Sequence, residues 1–274
     1  MNYQDKLITV QQAVDLVKSN DYIVTGLGCS TADAFFNHLH TAAGRLKDVL
    51  ISTCLPMRDY PCFNDPVYKD SFLHDSWFYS AATRKAHKTG STSFVPNCLH
   101  FAAHKRLAHR RPNIYVGAAS IPDRHGYISL SCSNTYETHM IEAADITILE
   151  INPNYPRTFG DVNIHYSRID HLILTEYDPP ALPDVPPSVK DRVIGGLIAP
   201  YIHDGDCIQL GIGGMPNALA EALMDKKDLG IHTEMLTTNM MKLYMAGAVT
   251  GRRKQIQKGK MVCTFIMGSK ELYE

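Results

Sequence analysis

The sequence has almost no charge imbalance: 27 Lys and Arg stand against 28 Asp and Glu, a net charge of −1 over 274 residues. A field that weak does not steer a chain towards nucleic acid or an anionic membrane, so an acidic ligand needs a local pocket. Long apolar runs are missing as well. None approaches the ~18 residues of a membrane-spanning helix, and the polar start Met1-Asn2-Tyr3-Gln4-Asp5-Lys6 lacks the apolar stretch of a signal peptide. The seven cysteines, at 29, 54, 62, 98, 132, 207 and 263, include no CxxC pair. An odd, scattered set argues against a disulfide framework or a zinc site and leads us to expect reduced thiols in a cytoplasmic protein. What is present is ordinary for a globular chain. Hydrophobic residues make up 45% and charged residues 20%, and the length suits one large domain or two smaller ones.

Short apolar runs alternate with helical ones. Tyr22-Ile23-Val24-Thr25 ends in Gly26-Leu27-Gly28 and leads into a helical stretch from Ala32 to Leu39. Val49 to Thr53, Asn113 to Ala118 and Ile146 to Glu150 are further strand-like runs. The pattern predicts an α/β protein with mainly parallel strands. Part of it occurs twice. Asp21 to Gly28 reads like Asp206 to Gly213, and Lys47 to Cys54 reads like Lys227 to Glu234, at offsets of 185 and 180 residues. A loop of different length accounts for the change, so we read two copies of one unit. The Pro-rich segment 178–187 lies between them as a linker, which gives domains at 1–185 and 186–274. Phe78 to Arg84 resembles Thr264 to Lys270, and the first copy continues well beyond that point. The second domain is therefore expected to be incomplete.

The second copy carries the chemistry. In Gln209-Leu210-Gly211-Ile212-Gly213-Gly214-Met215-Pro216 a strand runs into glycines, with proline where a helix would begin. Glycines allow close backbone approach, proline suits a first helical position, and the helix 217–224 would aim its positive end at an anion. The loop is not a dinucleotide fingerprint, because Pro216 stands where the third glycine belongs, and no Gly-Lys-Ser/Thr follows. Taken alone, an unliganded structural turn explains it equally well. Glu234 follows the strand 229–233, at the end where open α/β sheets place ligands, and Cys54 holds its place in the first copy. A carboxylate there can act as base, metal ligand or nucleophile, although a solvated loop residue is the plainer reading of Glu234 by itself. His232, two residues earlier, shares its face if the strand continues, with a packed histidine as the simpler expectation.

The run Asp204 to Pro216, together with Asp228-Leu229-Gly230-Ile231-His232-Thr233-Glu234-Met235, resembles the 4-hydroxybutyrate and butyrate–acetate CoA-transferases of the acetyl-CoA hydrolase/transferase family. Pro122 to Tyr127, Glu150-Ile151-Asn152, Pro156 to Asp161, Gly247 to Gly251 and Thr264 to Ser269 extend the likeness over the whole chain. It implies two α/β domains of the fold shared by CoA-transferases and sugar-phosphate isomerases, the second lacking a later Gly-rich loop. It also implies that Glu234 is the covalent catalyst, that Gly211, Ile212, Gly213, Gly214 and Met215 contact CoA, and that CoA passes from a short-chain acyl-CoA to acetate, butyrate or 4-hydroxybutyrate. Gly26 and Gly28 are candidates to line the acyl pocket, or form a turn inherited with the duplication. No permanently bound cofactor and no metal are expected, since CoA enters as substrate. Acyl-CoA and a carboxylate are the expected partners, with further copies of the chain in a homo-oligomer covering an open sheet edge. An acyl-CoA hydrolase, an inactive CoA-binding module and a sugar-phosphate isomerase are the alternatives. His100, His104 and His109, close to Lys105, Arg106, Arg110 and Arg111, read as a solvated basic face and not as a metal site.

Overall fold

Aliphatic and β-branched runs form the predicted strands. Among the described residues up to 180 the strands are β1 (Tyr22–Thr25), β2 (Val49–Thr53), β3 (Phe72–Ser76), β4 (Thr92–Phe94), β5 (Ile114–Ser120), β6 (Tyr127–Ser129), β7 (Ile146–Asn152), β8 (Asn163–His165) and β9 (His171–Leu174), of which β1, β2, β5 and β7 fall on the four runs named above. The helices among them are α1 (Val10–Asp15), α2 (Asp33–Leu39), α3 (Pro61–Asn64), α4 (Ala81–Lys88), α5 (Ala102–His109) and α6 (Glu137–Ala143). Beyond residue 180 come α7 (Val189–Ile198), β10 (Cys207–Ile208), α8 (Gly214–Ala222), β11 (Gly230–Leu236), α9 (Thr238–Met245), β12 (Val262–Ile266) and α10 (Lys270–Tyr273). This computed structural model describes residues 2–274, in two compact units that meet between Pro180 and Ala181.

The first unit is a seven-stranded sheet in the order β4-β3-β2-β1-β5-β7-β9, with every pairing parallel, and β6 and β8 form a small antiparallel ribbon. Strands covered on both faces lose the alternation of half-exposed ones, and β1 and β5 are buried at every residue. Ile23, Ile51, Ile114, Val116 and Ile148 pack in one cluster with Val14 of α1 and Phe35, Phe36 and Leu39 of α2. Each such burial contributes about 1.5–3 kcal/mol. The chain builds to one side of β1 through β2 and to the other through β5, so the end of β1 is the topological switch point where such sheets accept ligands. Gly26-Leu27-Gly28 follows β1 directly.

The second unit has three parallel strands in the order β10-β11-β12. Its register repeats that of the first. Tyr22 pairs with Leu50 and Cys207 with Gly230, which are equivalent positions at the offsets of 185 and 180. The third strand slips by one residue from the sequence alignment, because Thr53 pairs with Ser76 and Thr233 with Cys263, an offset of 187.

The Pro-rich segment is not a free linker. Residues 181–187 fold onto the second unit, where Leu182 N–H donates to Gly268 O at 2.8 Å. Asp184 accepts from Asn217 Nδ2 at 3.0 Å, Asn239 Nδ2 at 3.2 Å and Lys242 Nζ at 2.7 Å. No helix among the described residues is long and apolar enough to cross a membrane.

Candidate functional site

Glu234 lies inside β11, not after it. The alternation continues through the charged residue: Ile231, Thr233 and Met235 are buried, while His232 and Glu234 are exposed on the opposite face. Exposure also sets His232 apart from the packed histidine that the sequence suggested. Register places Thr264 opposite Glu234, between the pairs Thr233 with Cys263 and Met235 with Phe265. On the other side, Thr233 Oγ1 reaches Leu210 O at 3.5 Å, so the chain leaving β10 stays level with β11 and brings Gly211 beside Glu234.

The two faces of this sheet differ. One packs Leu210 and Ile231 against Leu219, Ala220 and Leu223 around α8 and Met240 and Leu243 of α9. The other presents Cys207, Gln209, His232, Glu234 and Thr264, all exposed. Parallel sheets ordinarily cover both faces, so a polar open face beside a glycine loop is a place for a ligand.

The loop starts its helix earlier than expected. α8 begins at Gly214, and Pro216 is its third residue instead of its first. Proline is tolerated there because no N–H of the first turn has a helical acceptor. Gly213, the N-cap, has φ 109° and ψ 178°, a conformation available in practice to glycine alone, and no side chain caps the helix. At Gly214 a Cβ would stand 2.4 Å from Asp191 Oδ2, so the first turn of α8 already faces one carboxylate. That oxygen is held by Ser188, accepting its N–H at 2.9 Å and its hydroxyl at 2.7 Å.

The first unit's glycine loop is built differently. Gly26, Leu27, Gly28, Cys29 and Ser30 are buried, and much of their backbone is engaged within the unit. Glu137 Oε1 accepts Leu27 N–H at 2.9 Å, and Gly28 N–H donates to Cys54 O at 3.0 Å. Thr31 Oγ1 donates to Gly28 O at 2.9 Å, Tyr136 Oη to Thr25 O at 2.9 Å and Tyr155 Oη to Cys29 O at 2.7 Å. Just beyond, the first turn of α2 is filled by Glu150, which accepts from Ala34 N at 3.1 Å, Phe35 N at 2.6 Å and Tyr177 Oη at 2.6 Å. Burial pushes the Glu150 carboxyl up to about 7, against the lowering effect of these donors. Asp33 is also raised by burial, with the Tyr60 hydroxyl and Arg58 opposing. Sequence reasoning did not single out Glu137 or Asp33, and it noted Glu150 only as part of a motif.

The basic face on α5 holds for most of its members. His100, His104, Lys105, His109, Arg110 and Arg111 are exposed. Arg106 instead turns inward, to Asp75 Oδ2 at 2.8 Å, Ser52 Oγ at 2.7 Å and Tyr22 Oη at 2.9 Å. Among the described residues, no group of three or more His, Cys, Asp or Glu is placed to hold a metal ion.

Residues 1–182 match the model of the acetyl-CoA hydrolase/transferase N-terminal domain. A succinyl-CoA:cyclohexane-1-carboxylate CoA transferase of Geobacter metallireducens is 36% identical, over 99% of this chain and 62% of its own. The 4-hydroxybutyrate coenzyme A transferase of Clostridium kluyveri is 32% identical, over 99% of this chain and 63% of its own. The crystal structure of RipA from Yersinia pestis superposes with a TM-score of 0.93 at 28% identity, covering 99% of this chain and 65% of that one. The chain thus spans a little under two thirds of these relatives' length. With the family model matched over the first unit and the relatives aligned through both, the chain belongs to the acetyl-CoA hydrolase/transferase family.

Proposed function

We propose that this protein transfers CoA between a short-chain acyl-CoA and a carboxylate, with Glu234 carrying CoA as a glutamyl thioester. The observation that carries the reading is an exposed carboxylate on the open face of β11, level with Gly211 where the glycine loop leaves β10.

A Glu234 oxygen attacks the thioester carbonyl, the C–S bond breaks, and a mixed anhydride and CoA thiolate result. The thiolate then attacks Cδ of Glu234 and expels the first carboxylate, leaving the glutamyl–CoA thioester. An incoming carboxylate runs the two steps in reverse. No proton, electron or phosphate is consumed, because one acyl bond is exchanged for another at each step. Each tetrahedral intermediate carries an oxyanion, and a preorganised N–H donor typically stabilises one by about 3 kcal/mol. The segment Gly211, Ile212, Gly213, Gly214 and Met215 is our candidate for the CoA contact, since the first-turn amides of α8 lack helical acceptors. In this reading CoA is a substrate and the protein holds no permanent cofactor. Acetate, butyrate and 4-hydroxybutyrate are the proposed carboxylates.

The test is intact mass after brief incubation with butyryl-CoA, followed by peptide mapping. A CoA adduct on Glu234 that acetate discharges supports transfer, and discharge by water at the same rate supports hydrolysis instead. Glu234→Ala should keep the fold and lose both adduct and exchange. Exchange retained in that variant would refute the covalent role.

A further inference from the structure

We propose that His232 receives the carboxylate that discharges the glutamyl thioester, an assignment that rests on the covalent role of Glu234. The two residues point to the same side of β11. Two residues of a strand span about 7 Å, a gap that an imidazole and a glutamyl side chain can close on one carboxylate between them. One substrate oxygen would take a hydrogen bond from His232 while the other attacks Cδ of Glu234.

The need for such a group follows from charge. A carboxylate leaving water for a site is costly unless it meets a donor, and a charged donor is the stronger one. The open face supplies few. Cys207, Gln209 and Thr264 are neutral, and Glu234 has the wrong sign. Lys254 lies against Gly230 at the start of the strand, but it is almost fully buried and its Nζ donates to Ile231 O at 3.0 Å and Lys260 O at 2.7 Å. On this face His232 is the exposed side chain able to offer a cationic donor. The arrangement also orders the reaction. While Glu234 is ionised it repels a second carboxylate beside His232, and once it is a neutral thioester that repulsion is gone.

The test separates a charged nucleophile from a neutral one. Wild type, His232→Gln and His232→Ala are loaded with butyryl-CoA, the Glu234 adduct is verified by mass, and its discharge is followed with sub-saturating acetate or with hydroxylamine. Loss of a charge-assisted hydrogen bond should slow discharge by acetate roughly ten- to a hundredfold in His232→Ala, with His232→Gln in between. Hydroxylamine should discharge all three equally. A merely structural role would slow both nucleophiles together, and that result, or unchanged discharge by acetate, overturns the proposal. Failure of the wild type to form any adduct refutes the Glu234 reading itself, and the assignment of His232 falls with it.

Discussion

Glu150 accepts the Tyr177 hydroxyl at 2.6 Å while the same carboxylate takes the amides of Ala34 and Phe35. Burial lifts its pKa from 4.5 to about 7. The unfolded chain titrates near the lower value, so this group's stabilising contribution is complete below pH 4.5 and is lost as pH rises through about 7. The window corresponds to about 3 kcal/mol. Urea unfolding from pH 4 to 8 should therefore show Glu150→Gln gaining on wild type as pH rises. Parallel curves would contradict this.

His74 works in the opposite direction. It is buried, stacks on Phe63 at 4.0 Å and bonds to Thr53 Oγ1 at 3.0 Å and Thr92 Oγ1 at 2.7 Å. Burial lowers its pKa from 6.5 to about 3. A depressed folded value means stability that is complete above pH 6.5 and drains as pH falls towards 3, by at most about 5 kcal/mol. Between 4.5 and 6.5 the two slopes oppose each other, and below 4.5 that of His74 stands alone. His74→Asn should be less stable at pH 7 but flatter towards acid. Its unfolding midpoint at pH 4 against pH 7 is the measurement, and an acid loss as steep as wild type would refute the assignment.

Glu137 ties two segments together. One oxygen accepts Leu27 N–H at 2.9 Å, and the other accepts Thr135 N at 2.6 Å and Tyr136 N at 2.9 Å. Glutamine has one acceptor oxygen, so Glu137→Gln leaves at least one buried amide without a partner, at about 1–3 kcal/mol. Thermal unfolding should record that loss, and hydrogen exchange should show Leu27 or the 135–136 amides deprotected. Unchanged protection at all three would mean that the carboxylate does not hold the loop.

These acids mark where sequence reading stopped. β1 and β10 were legible because each is a short, largely apolar run that leads into a Gly-x-Gly, and the matched offsets anticipated the shared register of Tyr22 with Leu50 and Cys207 with Gly230. The end of β11 was misplaced because a charged residue looks like a strand boundary, although Met235 continues the in-and-out alternation past Glu234. The start of α8 was misplaced because Pro216 stands third in a helix that the backbone of Gly213 initiates. Glu137 carried no local signal, and Glu150 stood out only as part of the Glu150-Ile151-Asn152 motif, with nothing to show which groups it holds. Leu27 lies 110 residues from Glu137 and Phe35 lies 115 from Glu150, distances over which periodicity and capping rules say nothing.

Gly213 offers the sharpest test of the loop as a CoA contact. At φ 109° and ψ 178° an alanine is strained by about 1–3 kcal/mol, yet an added Cβ there meets nothing within 4 Å. Gly213→Ala therefore perturbs the backbone without a clash, either keeping the strain or rotating the amides of the turn. Gly247, at φ 80° and equally unobstructed, is the matched control after α9. Both alanine variants should lose stability in urea. Only Gly213→Ala should also weaken CoA in titration calorimetry, roughly tenfold if about 1.4 kcal/mol of loop geometry is forfeited. Equal CoA affinity in both variants would mean that the turn at Gly213 shapes the helix start alone, and the CoA contact would then have to be sought on the open face beside Glu234.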